Sequence, residues 1–246
     1  MIRSRAIFLL LCGAALTLLA MPAAAQEISI SLGDDASLSA RTIQLILLIT
    51  VLSLAPGLAI MITCFPFIVT VLSILRQGIG LQQSPPNMLI ISLALFLTYF
   101  VMEPVFKTAW QQGISPMLEN GMPVEEALPL TLEPFRGFMA ARMDPETFAA
   151  MAALRPDGVE IVASPEAPLS VLIPSFLLSE IARAFQIGFL IFLPFLIIDL
   201  VVAAILMSMG MMMVPPVVVS LPFKLAFFVI ADGWRLIADS LVRGYF

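Results

Sequence analysis

Two charges stand alone in long apolar stretches, and their types and spacing could do chemistry. Asp199 closes an apolar run that begins at Ala184, and Lys224 is the one charge between Leu200 and Ala231. A charge in such surroundings is expensive unless it is paired, so each is a functional candidate. The two have opposite sign and lie about a dozen residues on either side of residues 211 and 212, so a helical hairpin closing there brings them level. They read as a buried ion pair that fixes hairpin register. The other chemistry open to Asp199 is that of a proton-sensing carboxylate.

Between the two charges runs Met207-Ser208-Met209-Gly210-Met211-Met212-Met213-Val214-Pro215-Pro216, which holds five of the chain's 15 methionines in seven residues. Thioether side chains are unbranched, polarizable and able to repack. Gly210 loosens the backbone on one side and Pro215-Pro216 stiffens it on the other. The composition suits a Met-rich helix-packing turn and, equally, a deformable apolar seal that excludes water while an extended chain passes.

What is missing narrows the chemistry further. The chain has no histidine. That removes histidine-based triads, the usual haem ligation and most zinc sites. No nucleophile and base stand together, so an enzyme is not expected, and neither a cofactor nor a metal site is. The two cysteines are Cys12 and Cys64, and the first lies in a segment expected to be removed. One thiol, Cys64, then remains and no intramolecular disulfide can form.

The elements that must position these residues are apolar helices. Hydrophobic residues make up 61% of the 246 and charged residues 12%, against about half and a quarter in soluble domains. The net charge of -5 offers no basic face, which excludes a nucleic-acid binder. Residues 1–25 read as a cleavable signal peptide: Arg3 and Arg5, an apolar run from Ala6 to Ala20, then Ala23-Ala24-Ala25. Its removal leaves 10 bases against 17 acids, about -7. Residues 26–42 are polar.

Residues 43–102 form a first hydrophobic hairpin. Pro56-Gly57 and Pro66 should break or kink its first arm, Arg76 to Pro86 makes the turn, and Glu103-Pro104 ends the second arm. Residues 103–168 read as an acidic, proline-rich helical domain outside the bilayer. Between Glu103 and Glu180 lie 11 acids and 4 bases, more than half of all charges. Asp144-Pro145-Glu146 is a helix start there. Phe135, Phe138 and Met139 share a helix face that serves as local core or as a subunit contact. Residues 169–234 form a second hydrophobic hairpin around the Met-rich loop, with an apolar run from Ala184 to Ile198 broken at Pro194. Residues 235–246 form an amphipathic tail. The fold class is therefore an all-α integral membrane protein, with two hydrophobic helical hairpins of kinked or broken helices and a small helical extracytoplasmic domain between them. Glu180 and Arg183, beside the third apolar run, read as a subunit contact or as a solvated pair three residues apart.

Several long motifs, in order, carry a resemblance. Pro222-Phe223-Lys224-Leu225-Ala226-Phe227-Phe228-Val229-Ile230-Ala231-Asp232-Gly233-Trp234 resembles the C-terminal signature of the FliP family of flagellar export-gate proteins. Ile173-Pro174-Ser175-Phe176-Leu177-Leu178-Ser179-Glu180-Ile181 through Gly188-Phe189, the Asp199 to Pro216 segment and the Leu75-Arg76 to Pro86-Asn87 turn are similar to it as well. The likeness covers residues 43–107 and 169–243. It departs at Thr63-Cys64-Phe65-Pro66-Phe67, where Phe67 replaces the family's basic residue, and at Ala226, where the family has a larger aliphatic.

The resemblance implies a ring of five copies joined by FliQ and FliR, set among other export-apparatus membrane proteins and the basal-body ring in the inner membrane. It implies a conduit for unfolded rod, hook and filament subunits, with Met209, Met211, Met212 and Met213 lining a constriction. Lipid or sister subunits are expected to cover the apolar surface, and no nucleic acid is involved. The alternatives are the equivalent subunit of a virulence injectisome and, in another class, a proton-coupled transporter using Asp199.

Overall fold

The computed structural model describes residues 38–81, 84–155, 162–211 and 213–245, and these contain helices and no strand. The signal-peptide reading of residues 1–25 and most of the polar 26–42 segment lie outside the described residues, as does Met212.

The chain divides at Thr50 into two compact units. The described part of the first is the start of α1 (Leu38–Met61), whose residues 42–50 are all exposed. In the second unit α1 runs on to Met61. It is followed by α2 (Phe65–Ile79) and α3 (Asn87–Ala109), a π-helical turn (Trp110–Ile114), α4 (Ser115–Glu119), α5 (Val124–Arg142) and α6 (Pro145–Ala153). Then come α7 (Leu169–Ser208), α8 (Pro216–Ile230) and α9 (Gly233–Arg243). Among the described residues, three helical stretches are long and apolar enough to cross a membrane, or four if α8 and α9, which meet at 61°, count as one span.

Of the expected breaks, the one at Pro66 forms just before it and the others do not. Pro56 lies inside α1, and the first arm is interrupted at residues 62–64 instead. There the Thr63 hydroxyl donates to the Ile60 carbonyl at 2.9 Å and accepts the Phe65 amide at 3.4 Å. Pro66 sits in the first turn of α2, where its missing N–H removes no intrahelical bond. Glu103-Pro104 does not end the second arm, because α3 continues to Ala109. Val101 and Met102 are buried, and Val105 and Phe106 pack on the same core, so burial on both sides of the proline outweighs its lost hydrogen bond. Likewise α7 passes through Pro174 and Pro194 without ending.

The core is organised around α2. Ile68, Val71, Leu72 and Leu75 are almost wholly inaccessible and face Ala94 and Met102 of α3, Ala184 and Phe195 of α7 and Phe228 of α8. A second cluster joins Met139 of α5 and Phe148 of α6 to Val171, Leu172 and Phe176 of α7. Its α6 begins as the sequence indicates: Asp144 is the N-cap and its Oδ2 accepts the Thr147 amide at 2.8 Å.

With 40 residues, α7 is about 60 Å long at 1.5 Å per residue. That is about twice the roughly 30 Å thickness of a bilayer core. The first half of α7 packs into the two cores, and its second half exposes Ile197, Leu200, Val201 and Ile205.

Candidate functional site

The Met-rich loop joins α7 to α8, and backbone chemistry at each end fixes it. Gly210 has φ of 75°, a left-handed conformation that only glycine adopts without strain. It is the residue just beyond the C-cap of α7. The Gly210 amide donates to the Met207 carbonyl at 3.1 Å and the Met211 amide to the Leu206 carbonyl at 2.9 Å, the pair of bonds that closes a Schellman motif. Gly210 therefore stops α7 at a defined point rather than loosening it. On the other side Pro215 is the N-cap of α8 and Pro216 its first residue. Met211 and Met213 lie between these fixed points and Met209 just before Gly210; all three are exposed, Met213 almost completely (97%).

Behind the loop the two arms are tied. Lys224 Nζ lies 2.6 Å from Asp199 Oδ2 and also donates to the Gly78 carbonyl at 3.2 Å. The Ser220 hydroxyl donates to Asp199 Oδ1 at 2.5 Å. Ser220 and Lys224 are one turn apart on α8, so both reach the same carboxylate. Lys224 is buried and Asp199 partly so. Gly78 belongs to the last turn of α2, whose free carbonyls favour a cation. One ammonium thus joins α2, α7 and α8. An apolar groove of about 410 Å³ runs from this tie towards the loop, lined by Val201, Ile205, Met209, Val219 and Phe223 among others.

A second polar cluster lies at the other end of α7. Glu180 is wholly inaccessible. Its Oε1 accepts from Arg142 Nε at 3.0 Å and pairs with Arg183 Nη1 at 3.5 Å, and its Oε2 accepts the Tyr245 hydroxyl at 2.5 Å. Burial, reinforced by the neighbouring carboxylate, pushes the Tyr245 hydroxyl far above its ordinary value, so it stays protonated and donates. Glu180 and Arg183 are therefore no solvated pair: the carboxylate is satisfied inside the chain. Phe138 stacks on Tyr245 with ring centres 6.1 Å apart, and Phe135 packs on Phe106 at 5.8 Å. The contacts of both phenylalanines within the chain are with its own core.

A family model described as the FliP family matches residues 48–241. The chain belongs to the FliP family. It is 51% identical over 235 residues to the flagellar biosynthetic protein FliP of Caulobacter vibrioides, covering 94% of this chain and 88% of that one. It is 49% identical over 214 residues to the FliP of Rhizobium meliloti, covering 86% of each. It is 45% identical over 222 residues to the FliP of Bacillus subtilis, covering 89% of this chain and 98% of that one.

In this FliP-family chain Asp199 and Lys224 are legible in the sequence, whereas Ser220 and the Gly78 carbonyl beside them, and Tyr245 beside Glu180, emerge from the structure. Ser220 had a signal, being four residues before Lys224 on the same helix face. The Gly78 carbonyl and Tyr245 had none, since nothing in their spacing links them to Lys224 or Glu180. Among the described residues no group of three or more His, Cys, Asp or Glu side chains could hold a metal ion.

Proposed function

We propose that this chain is a pore-forming, non-catalytic subunit of the flagellar protein export gate, and that its Met-rich loop is a deformable seal. The observation that carries this reading is the hairpin tip: Met209, Met211 and Met213 are exposed on a loop whose two ends are fixed by Gly210 and Pro215-Pro216. Exposed thioethers on a register-locked hairpin suit a ring of copies in which each loop meets its neighbours around an axis. Soft side chains there close the ring against water and yield to an unfolded chain.

In the proposed assembly five copies associate with FliQ and FliR in the inner membrane, within the basal body. Rod, hook and filament subunits cross as unfolded chains. The 103–168 domain is extracytoplasmic. The contact of Tyr245 with Phe138 and Glu180 supports a tail on the same side as that domain, with two crossings by α7 and α8 between them. The names of the relatives support the flagellar over the injectisome reading.

Replacing Met211, Met212 and Met213 together by Ala tests the seal. Resting cells carrying this variant should leak ions or small solutes while the complex still assembles. A tight seal in the assembled variant overturns the reading. Mass measurement of the detergent-solubilised complex tests the ring, and a lone monomer would count against it.

A further inference from the structure

The last two described residues, Gly244 and Tyr245, are fastened from four sides. The Gly244 carbonyl accepts from Arg142 Nη1 at 2.8 Å. The Tyr245 ring stacks on Phe138, meets Phe67 edge-on at 5.6 Å, and lies under the Arg142 guanidinium, 3.8 Å from the ring centre. Its hydroxyl reaches the wholly buried Glu180 carboxylate. These partners come from α2, α5 and α7, elements otherwise joined mainly by apolar packing. Arg142 is the pivot, because the same guanidinium that neutralises Glu180 also holds Gly244 and faces Tyr245.

We propose that Gly244–Tyr245 is a C-terminal latch that closes the Glu180 cluster and thereby locks α2, α5 and α7 into one layer. Arg142 and Arg183 both reach Glu180 Oε1, so without the Tyr245 hydroxyl Oε2 becomes a buried acceptor without a donor, a state that favours local opening. The layer is then complete only after Gly244 and Tyr245 have docked. The latch is independent of the export reading, since it uses no residue of the hairpin tip.

Cys64 is a built-in reporter. It is wholly buried in the α2 core, three residues from Phe67, and Tyr245 packs on the same core. The experiment is the rate of modification of Cys64 by a fluorescent maleimide, on the full chain in native membranes, in a Cys12→Ala background. Tyr245→Phe keeps the ring and removes the hydroxyl, and the rate should rise about tenfold, as expected for losing a charge-assisted hydrogen bond from a local opening equilibrium. Tyr245→Ala should raise it further. Arg243→Ala removes an exposed pair with Asp239 on the same tail and should leave the rate unchanged. Wild-type rates in Tyr245→Phe overturn the latch. Should Tyr245→Ala fail to accumulate, Tyr245→Phe decides alone. A rise of the same size in Arg243→Ala also overturns it, because the effect would then belong to the tail in general.

Discussion

Lys224 Nζ sits 2.6 Å from Asp199 Oδ2 while donating to the Gly78 carbonyl at 3.2 Å, so a single ammonium holds both arms of the Met-loop hairpin against the end of α2. Lys224→Met leaves Asp199 without its counter-ion, with only the Ser220 hydroxyl still donating to it, and the Gly78 carbonyl without its donor. Asp199 keeps some contact with water, so the loss should fall somewhat below that of a fully buried pair, about 2–3 kcal/mol. Thermal unfolding of the detergent-solubilised protein would measure it. Exchange of the two charges, Asp199→Lys with Lys224→Asp, should restore assembly only in part, because the Gly78 carbonyl loses its donor. If Asp199→Asn instead abolished export in a fully assembled complex, Asp199 would be a proton carrier rather than a tie.

The stop at Gly210 gives a second expectation. Gly210→Ala forces a side chain into the left-handed region at a penalty of about 1–2 kcal/mol. Gly210→Asn should be milder, since Asn tolerates that conformation. Motility in soft agar and the thermal midpoint should fall in the order Gly, Asn, Ala. Equal behaviour of the Asn and Ala variants would mean that the left-handed cap does not control the loop.

Gly188 of α7 admits Ile74 of α2 at close range, and a Cβ at position 188 would lie 3.2 Å from Ile74 Cγ2. Gly188→Ala should therefore destabilise the core by about 1–3 kcal/mol through overpacking. Ile74→Ala in the same chain should recover part of that loss, because it removes the obstructing atoms. A double-mutant cycle on thermal stability reads the coupling, and strict additivity would contradict the contact.

Asp144 gives the pH dependence. Hydrogen bonds from the Thr147 side chain and amide hold its carboxyl below its ordinary value of 3.8. A depressed carboxylate contributes stability that is present above the unfolded value and lost as pH falls through the folded one. Amide exchange in residues 145–153 should therefore be constant from pH 7 down to about 5, once corrected for intrinsic rates, and protection should fall below pH 4. Asp144→Asn, still a good cap, should flatten that fall.

The departures from the sequence reading share a cause. At Pro104 and Pro194 local rules call for a break, yet α3 and α7 run through. A proline removes one hydrogen bond and adds one clash, whereas each of these helices buries side chains on both sides of it. Local rules held where nothing tertiary opposed them, as at the Asp144 cap. They also held around the Met-rich loop, where Gly and Pro act within a few residues of themselves.

What the sequence determined by itself was set by short range and by composition: apolar helices of membrane-crossing length, the position of the loop, and the level meeting of Asp199 with Lys224, 25 residues apart across one turn. A hairpin converts that spacing into proximity with no further information. Tertiary structure alone decided that Lys224 also holds Gly78, 146 residues away, and that Glu180 is shared by Arg142 and Tyr245 at separations of 38 and 65. Those partners are joined by no periodicity. They meet because α7 packs on both α2 and α5, and a buried charge then takes whichever donors that packing brings within reach.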